Sequence, residues 1–261
     1  MNRLIIISVI AAIFMMNATA WSASLNAEQI VAKANVASYY PGTDGRADVK
    51  MTITDKSGST RTREFTILRL NLAKENQKFY VYFKEPADVY KMAYLVWKNV
   101  GGSDDRWLWL PALNLKKRIA PGDKRTSFVG SDFFYEDVSG RGIHEDEHRL
   151  LEETAETYLI ESTPKKAGEV EFTRFKVWID KATFLPQKAE YYDRQNKLYR
   201  VVEAVKVETI QGYPTVTIAE ARDLSSGSIS RNEFKSVKYD LGLKERIFTE
   251  RFLRRPPREI Q

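Results

Sequence analysis

The chain has 261 residues, no cysteine and a formal net charge of +6, from 41 Lys and Arg against 35 Asp and Glu. The lack of cysteine excludes disulfides, a cysteine nucleophile and the N-terminal lipid attachment of a bacterial lipoprotein. The moderate basic charge suits an anionic lipid surface or an acidic protein partner.

The first twenty residues have the three-part layout of a secretion signal. A basic start at Arg3 precedes an apolar run over residues 4–16, and the small residues Ala-Thr-Ala follow at 18–20. The run is too short for a membrane-crossing helix of about 20 residues, which favours cleavage over a permanent anchor. We therefore expect a cleavable signal peptide at residues 1–20 and a soluble periplasmic chain at residues 21–261, where nucleic acid is not the usual partner.

The next segment predicts a helix. Asn26 and Gln29 have the spacing of an N-cap and its capping-box partner, and Pro41-Gly42 ends the run. Between them, apolar residues recur at helical spacing: Ile30, Val31, Ala34 and Ala37.

From residue 48 onwards the pattern changes to strands. Residues 48–54 and 60–70 alternate apolar with polar side chains around a turn at residues 55–59, which predicts a hairpin. Further strand-like segments follow with almost no helix between them, so we predict a mainly β fold: one domain with a single antiparallel sheet of about eleven strands. The predicted helix and the Gly-rich, aromatic residues 129–143 are the segments available to cover its apolar face.

Several strands carry large apolar side chains on both faces. Phe79, Val81 and Phe83 alternate with Tyr80 and Tyr82. This pattern fits a filled core with aromatic surface, and it equally fits a concave sheet that lines an apolar cavity.

The only two histidines belong to an H-E-x-x-H sequence, formed by His144, Glu145 and His148. On a helix the two imidazoles would share one face and could bind zinc, with Glu145 as general base. The motif follows Gly140 and Gly142 and has acidic middle residues, which is not typical of an active-site helix. We interpret it as a charged surface loop and expect no metal and no cofactor.

Three blocks of sequence carry a resemblance to a known family. They are residues 106–113 (RWLWLPAL), 117–119 (KRI) and 128–137 (FVGSDFFYED). Together they resemble the signature of the exported outer membrane lipoprotein-sorting family, which is similar to the periplasmic lipoprotein carriers of the Lol pathway. Shorter supporting pieces occur along most of the chain after residue 20.

The resemblance implies a half-open antiparallel barrel with a lid over an apolar cavity that shelters acyl chains between membranes. It also implies lipid or lipoprotein acyl chains as cargo and an inner-membrane exporter of the resistance-nodulation-division type as partner. We expect such a carrier to be a monomer that touches membranes transiently, and not to be an enzyme.

The candidate lipid-binding residues are those that strand alternation is predicted to place on one face, with an aromatic segment as a mobile rim. Three consecutive cations are candidates for contact with headgroups or a partner: Lys116, Lys117 and Arg118. The predicted lipid-binding face comprises Val49, Met51, Ile53, Phe65, Ile67, Phe79, Val81, Phe83, Leu95, Trp97, Trp107 and Trp109, and the rim Phe128, Phe133, Phe134 and Tyr135.

Two other function classes stay open at this point. One is an interaction module that docks to an exporter complex and carries nothing. The other is a zinc hydrolase that uses the histidine motif.

Overall fold

The computed structural model describes residues 24–260, so the predicted signal peptide at residues 1–20 lies outside the described residues. Within residues 24–260 the chain forms one antiparallel sheet of thirteen strands, where the sequence predicts about eleven, and three α-helices. The strands are β1 (Asp44–Thr54), β2 (Thr60–Asn71), β3 (Gln77–Glu85), β4 (Ala93–Lys98), β5 (Asp105–Leu110), β6 (Leu115–Ile119), β7 (Asp146–Glu153), β8 (Thr157–Pro164), β9 (Arg174–Asp180), β10 (Pro186–Tyr192), β11 (Leu198–Ile210), β12 (Tyr213–Asp223) and β13 (Ser228–Tyr239). The helices are α1 (Ala27–Tyr39), α2 (Tyr135–Ser139) and α3 (Arg251–Arg254).

The sheet consists of two meanders joined along one seam. Its strand order runs from β6 back to β1 and then from β13 back to β7. At the seam, β1 pairs with β13, with Met51 opposite Asn232 and Val49 opposite Phe234. In this order β6 and β7 are the two outer strands, so the sheet is not closed and the predicted half-open arrangement is confirmed.

Helix α1 begins where the sequence predicts it. The Asn26 side chain accepts a hydrogen bond from the Gln29 amide, and the Gln29 side chain accepts one from the Asn26 amide. These two bonds satisfy amides that the first helical turn leaves without partners. The apolar side of α1 packs on β8 and β9 in a cluster that includes Ile30, Ile160 and Ile179.

The two faces of the sheet have separate apolar clusters. The concave cluster contains Val49, Phe65 and Val81 together with residues of the segment that links β6 to β7. The convex cluster lies under the C-terminal segment, whose Ile247, Phe248, Leu253 and Ile260 cover strands β2 to β5. The segment that links β6 to β7 covers one face of strands β2 to β5, and the C-terminal segment covers the other. This explains why these strands carry apolar side chains on both faces.

Four residues predicted for the lipid-binding face lie on the opposite face: Leu95, Trp97, Trp107 and Trp109. Residues directly opposite each other on paired strands share a face, and Phe79 pairs with Val96, not with Leu95 or Trp97. Likewise Leu95 pairs with Trp107 and Ala93 with Trp109. The prediction was wrong for these four residues because alternation cannot choose between two apolar faces.

Residues 120–145, called the lid segment here, connect the two outer strands and include α2. Phe128 of this segment packs in the concave cluster, and Asp132 binds Ser230 on β13. The lid segment therefore lies over the concave face, as the sequence predicts for residues 129–143. None of the helices within residues 24–260 has the length and apolar character needed to cross a bilayer.

Candidate functional site

The concave face holds an open cavity of about 470 Å³. Ligand sites in proteins commonly measure roughly 300–1,000 Å³ and are lined mainly by apolar side chains. Both meanders contribute to the wall. The first contributes Ala47, Phe65, Ile67, Phe79 and Val81, and the second contributes Val177, Ala189, Tyr191, Val202, Ala219, Phe234 and Val237.

The cavity has two ends, one at the lid segment and one at the end of the sheet farthest from the lid segment. Phe128, Phe133 and Val138 of the lid segment form one wall. The other end is lined by residues where α1 stops and where β10, β12 and β13 begin or end: Pro41, Pro186, Pro214 and Tyr239.

The aromatic side chains of the lid segment are packed inside the protein. The Phe128 ring lies 5.7 Å from that of Phe83, 5.6 Å from that of Tyr94 and 5.4 Å from that of Tyr135. Phe128 is 2% exposed, and Phe133 is also buried. Of the residues predicted as a rim, Phe128 and Phe133 thus form part of the inner wall, Tyr135 packs beside Phe128, and the mobility of the rim stays a prediction.

The predicted concave residues divide into two groups. Part of the concave face is filled by protein side chains and part of it is hollow. The predicted residues that line the cavity are Phe65, Ile67, Phe79, Val81, Phe128 and Phe133. The predicted residues packed in the adjoining cluster are Val49, Met51, Ile53, Phe83 and Tyr135.

A cluster of charges centred on the buried Arg125 and Glu136, with Lys124, Arg141 and the exposed Glu171 around them, holds the lid segment in place. Arg125 donates to Glu136 at 2.7 Å and, through Nε, to both carboxylate oxygens of Glu171 at 2.9 Å. Lys124 and Arg141 lie 2.9 and 3.3 Å from Glu136. Glu171 lies outside the lid segment, between β8 and β9, so the cluster fixes the lid segment to the second meander.

The electrostatics of this cluster follow from its burial. Burial alone raises the pKa of the Glu136 carboxyl, but Arg125, Lys124 and Arg141 outweigh it and hold this pKa at about 2. Glu136 is therefore ionised at neutral pH although it is 1% exposed. Buried ions of this kind remain charged only when they are paired.

A second set of polar contacts ties the middle of the lid segment to β11 and β13. Arg200 on β11 donates to the Asp132 carbonyl oxygen at 3.2 Å and to the Asp137 carboxylate. Its guanidinium also lies 4.1 Å from the centre of the Phe134 ring, which Arg125 approaches at 5.0 Å. Asp132 accepts a hydrogen bond from Ser230 at 2.7 Å. Phe134, predicted as a lipid contact, is thus held between two arginines.

The close approach of α1 to the lid segment depends on one glycine. Gly140 has a φ of +75°, and a β-carbon there would lie 2.6 Å from the ring of Tyr39. A side chain at this position would have to displace the Tyr39 ring, since β-carbons essentially never come this close to another atom. Tyr39 itself lines the cavity, so the glycine allows α1 and the lid segment to meet at the cavity wall.

The three predicted contact cations lie on the exposed outer strand β6. Lys116 is paired with Glu250 of the C-terminal segment, and Arg118 with Asp105. Lys117 is exposed beside two exposed apolar residues, Leu113 and Leu115.

The histidine motif does not have the geometry of a zinc helix. His144 lies in a short 3₁₀ turn, Ile143–Glu145, and His148 lies in β7. The two ring nitrogens of His148 are each 2.8 Å from a neighbour, Ser162 Oγ and the Ile143 carbonyl oxygen. Residues 24–260 contain no cluster of three His, Asp or Glu side chains suited to a metal.

Sequence reasoning missed the lid ion cluster and the cavity wall of the second meander. Arg125, Glu136 and Arg200 read as ordinary surface charges because their partners are distant in sequence. The sequence of β9 to β13 did contain a signal, because small or apolar residues there each stand next to at least one charged residue: Val177, Ala189, Val202, Ala219 and Phe234.

Comparison with known proteins agrees with this architecture. A family model described as "Uncharacterized protein" matches residues 75–255. The structure of a DUF1329 family protein from Desulfovibrio piger is 30% identical over 86% of this chain and 95% of that one, with a TM-score of 0.79. No curated protein matches the chain.

Two further solved structures share the fold. One, from Vibrio parahaemolyticus, is described as an outer membrane lipoprotein-sorting protein domain; it is 26% identical over 88% of this chain and 98% of that one, with a TM-score of 0.80. The other, a LolA superfamily protein from Nitrosomonas europaea, is 21% identical over 88% of this chain and all of that one, with a TM-score of 0.69. The resemblance predicted from the sequence is thereby confirmed, and the fold is of the carrier type.

Proposed function

The chain belongs to the DUF1329 family, and we propose that it is a periplasmic carrier that shelters acyl chains of lipids or lipoproteins on their way towards the outer membrane. The observation that carries the proposal is the apolar cavity of about 470 Å³ on the concave face. The similarity to a lipoprotein-sorting domain from Vibrio parahaemolyticus supports it.

The chemistry of the cavity wall suits hydrocarbon. Each methylene group moved from water into an apolar site contributes about 0.8 kcal/mol. Ten methylenes would contribute about 8 kcal/mol, which is comparable with the roughly 4–15 kcal/mol that association costs in lost motion. A single acyl chain can therefore be held reversibly without any cofactor.

Transient contact with a membrane is part of the proposal. Leu113, 69% exposed in the turn before β6, and Leu115 on the outer strand β6 are exposed close in sequence to Lys117. Exposed apolar side chains next to a cation suit the surface of an anionic membrane. An inner-membrane exporter of the resistance-nodulation-division type is the proposed source of the cargo.

The test is to look for bound lipid and then to remove the space for it. The protein purified from a periplasmic extract is treated with organic solvent, and the extract is examined by mass spectrometry for acyl lipids. In parallel, displacement of the fluorescent probe N-phenyl-naphthylamine by palmitic acid is measured for the wild type and for Ala219→Phe. Ala219 lines the cavity, and the added ring would occupy it. Ala112→Phe, at an exposed position, is the matched control.

We expect acyl lipid in the extract, and palmitic acid binding that Ala219→Phe abolishes and Ala112→Phe retains. A lipid-free extract together with no binding of palmitic acid would overturn the carrier proposal. If the same preparation still captured an inner-membrane exporter, the chain would instead be a docking module.

A further inference from the structure

One polar side chain in the wall of the apolar cavity has a buried amide oxygen without a partner. Asn232 lies on β13, lines the cavity and is 8% exposed. Its Oδ1 atom forms no hydrogen bond with any of residues 24–260. The residues directly opposite it are Met51 on β1 and Ala219 on β12, neither of which has a side-chain group that could pair with an amide.

Of the polar residues around Asn232, Ser230 and Thr215 are already engaged, whereas Thr217 on β12 also has a buried hydroxyl that forms no hydrogen bond with any of residues 24–260. Ser230, two residues earlier on the same strand, donates to Asp132 of the lid segment. At the other end of the cavity, the Thr215 and Tyr239 hydroxyls lie 2.9 Å from each other. Buried amides are nearly always hydrogen-bonded because an unpaired one destabilises the folded protein, so a buried exception calls for an explanation.

The charged groups that line the cavity are also engaged. The Arg69 guanidinium donates to the carbonyl oxygens of Tyr39 and Pro41, and Asp137 is paired with Arg200. The other two cations of the lining, Arg46 and Lys188, are paired with Asp48 and Glu190. A carboxylate or phosphate at the depth of Asn232 would therefore find no free cation among the lining side chains. An amide, in contrast, can both accept and donate a hydrogen bond to an uncharged group.

We propose that Asn232 is a polar subsite within the cavity, and that it binds an uncharged hydrogen-bonding group, a hydroxyl, carried along the hydrocarbon of an acyl ligand. The inference rests on the proposed carrier function and specifies its ligand class. On β13, Asn232 is separated from Tyr239 at the far end of the cavity by Phe234 and Val237, which also line the wall. A group that reaches Asn232 from that end must therefore follow a stretch of apolar chain.

The experiment compares oleic acid with ricinoleic acid, which differ by one hydroxyl within the chain. Binding of each acid is measured by displacement of N-phenyl-naphthylamine from the wild type, from Asn232→Leu and from Gln187→Leu. Leucine has nearly the shape of asparagine but no hydrogen-bonding group. Gln187→Leu removes an exposed amide from β10 and is the matched control.

We expect the wild type and Gln187→Leu to bind ricinoleic acid about tenfold more tightly than oleic acid. This ratio corresponds to the net free energy of one hydrogen bond, taken near the upper end of the usual range. Asn232→Leu should lose this preference and bind oleic acid at least as well as the wild type, which also shows that the variant is folded. Equal binding of the two acids by the wild type, or a preference that survives in Asn232→Leu, would overturn the subsite alone. No binding of either acid by the wild type would overturn the carrier proposal as well.

Discussion

Arg125 and Glu171 form a fork-shaped ion pair, with Nε of the arginine 2.9 Å from both carboxylate oxygens and Nη2 2.7 Å from one of them. Arg125 belongs to the lid segment and Glu171 to the connection between β8 and β9. Two parallel bonds of this kind fix orientation as well as distance. The lid segment is therefore positioned by charge in addition to its buried aromatic rings.

Substitution of Glu136 by Gln should destabilise the protein strongly. The change removes the carboxylate that Arg125, Lys124 and Arg141 share, although Arg125 keeps Glu171 as a partner. We expect the free energy of unfolding in urea to fall by about 1.5–3 kcal/mol, because charge-assisted hydrogen bonds are lost at a buried position. Glu169→Gln, at an exposed position, should change it by less than about 0.5 kcal/mol. Similar losses for the two variants would contradict this role of the cluster.

Stability should also depend on pH through Glu136. Its pKa is about 2 in the folded protein against 4.5 as the ordinary value. A carboxyl whose pKa is lower in the folded state contributes stability that is complete above the ordinary pKa and is lost as the pH falls. We expect the free energy of unfolding to decrease between pH 4.5 and pH 2. The slope should be shallower in Glu136→Gln, and an unchanged slope would assign the effect to other carboxyls.

Substitution of Arg200 by Met should loosen the lid segment. The substitution removes the bonds to Asp132 and Asp137 and the contact with the Phe134 ring. Amide hydrogen exchange within residues 128–139 should become faster, because local opening then breaks fewer contacts. Arg222→Met, on a half-exposed arginine of β12, is the control, and it should leave exchange in these residues unchanged. Equal protection in Arg200→Met and the wild type would show that the aromatic packing alone holds the lid segment.

The convex cluster should matter for stability but not for binding. Phe248 is completely buried against the outer face of β2 to β5, and its carbonyl oxygen accepts a hydrogen bond from Trp97 at 2.8 Å. Phe248→Ala should lower the free energy of unfolding by about 3–5 kcal/mol. Palmitic acid binding should stay at the wild-type level, whereas Phe65→Ala, at the cavity wall, should alter both properties. Loss of binding in Phe248→Ala at temperatures where it is folded would contradict the separation of the two faces.

The helix α1 and the first strands could be predicted from the sequence because the patterns that indicate them are local. The capping pair Asn26 and Gln29 marks the start of α1, and the turn at residues 55–59 marks the hairpin of β1 and β2. The inward face of a strand could be predicted only where the other face is polar. In β1 the alternation is clear, and Val49, Met51 and Ile53 were assigned to the correct side.

The features that the sequence did not predict depend on contacts between residues far apart in the chain. Trp97 and Trp107 were assigned to the wrong face because nothing local shows that the C-terminal segment covers them. Arg125 and Glu171 are 46 positions apart, and Arg200 and Asp137 are 63 apart. The periodicity of the sequence does not indicate such pairs. It does not indicate the cavity between the two meanders either, because the alternation of apolar and polar residues is the same for a filled face and for a hollow one.

The seam between β1 and β13 has a consequence for the order in which the protein assembles. Each meander is built from hairpins that can form soon after their own residues are available, whereas the seam joins strands from near the two ends of the chain. Closing so long a loop is entropically costly, and non-local strand pairing is slow. Because the cavity wall comes from both meanders, the hollow exists only after this last pairing step. The chain would thus complete its folding before the cavity could take up a ligand.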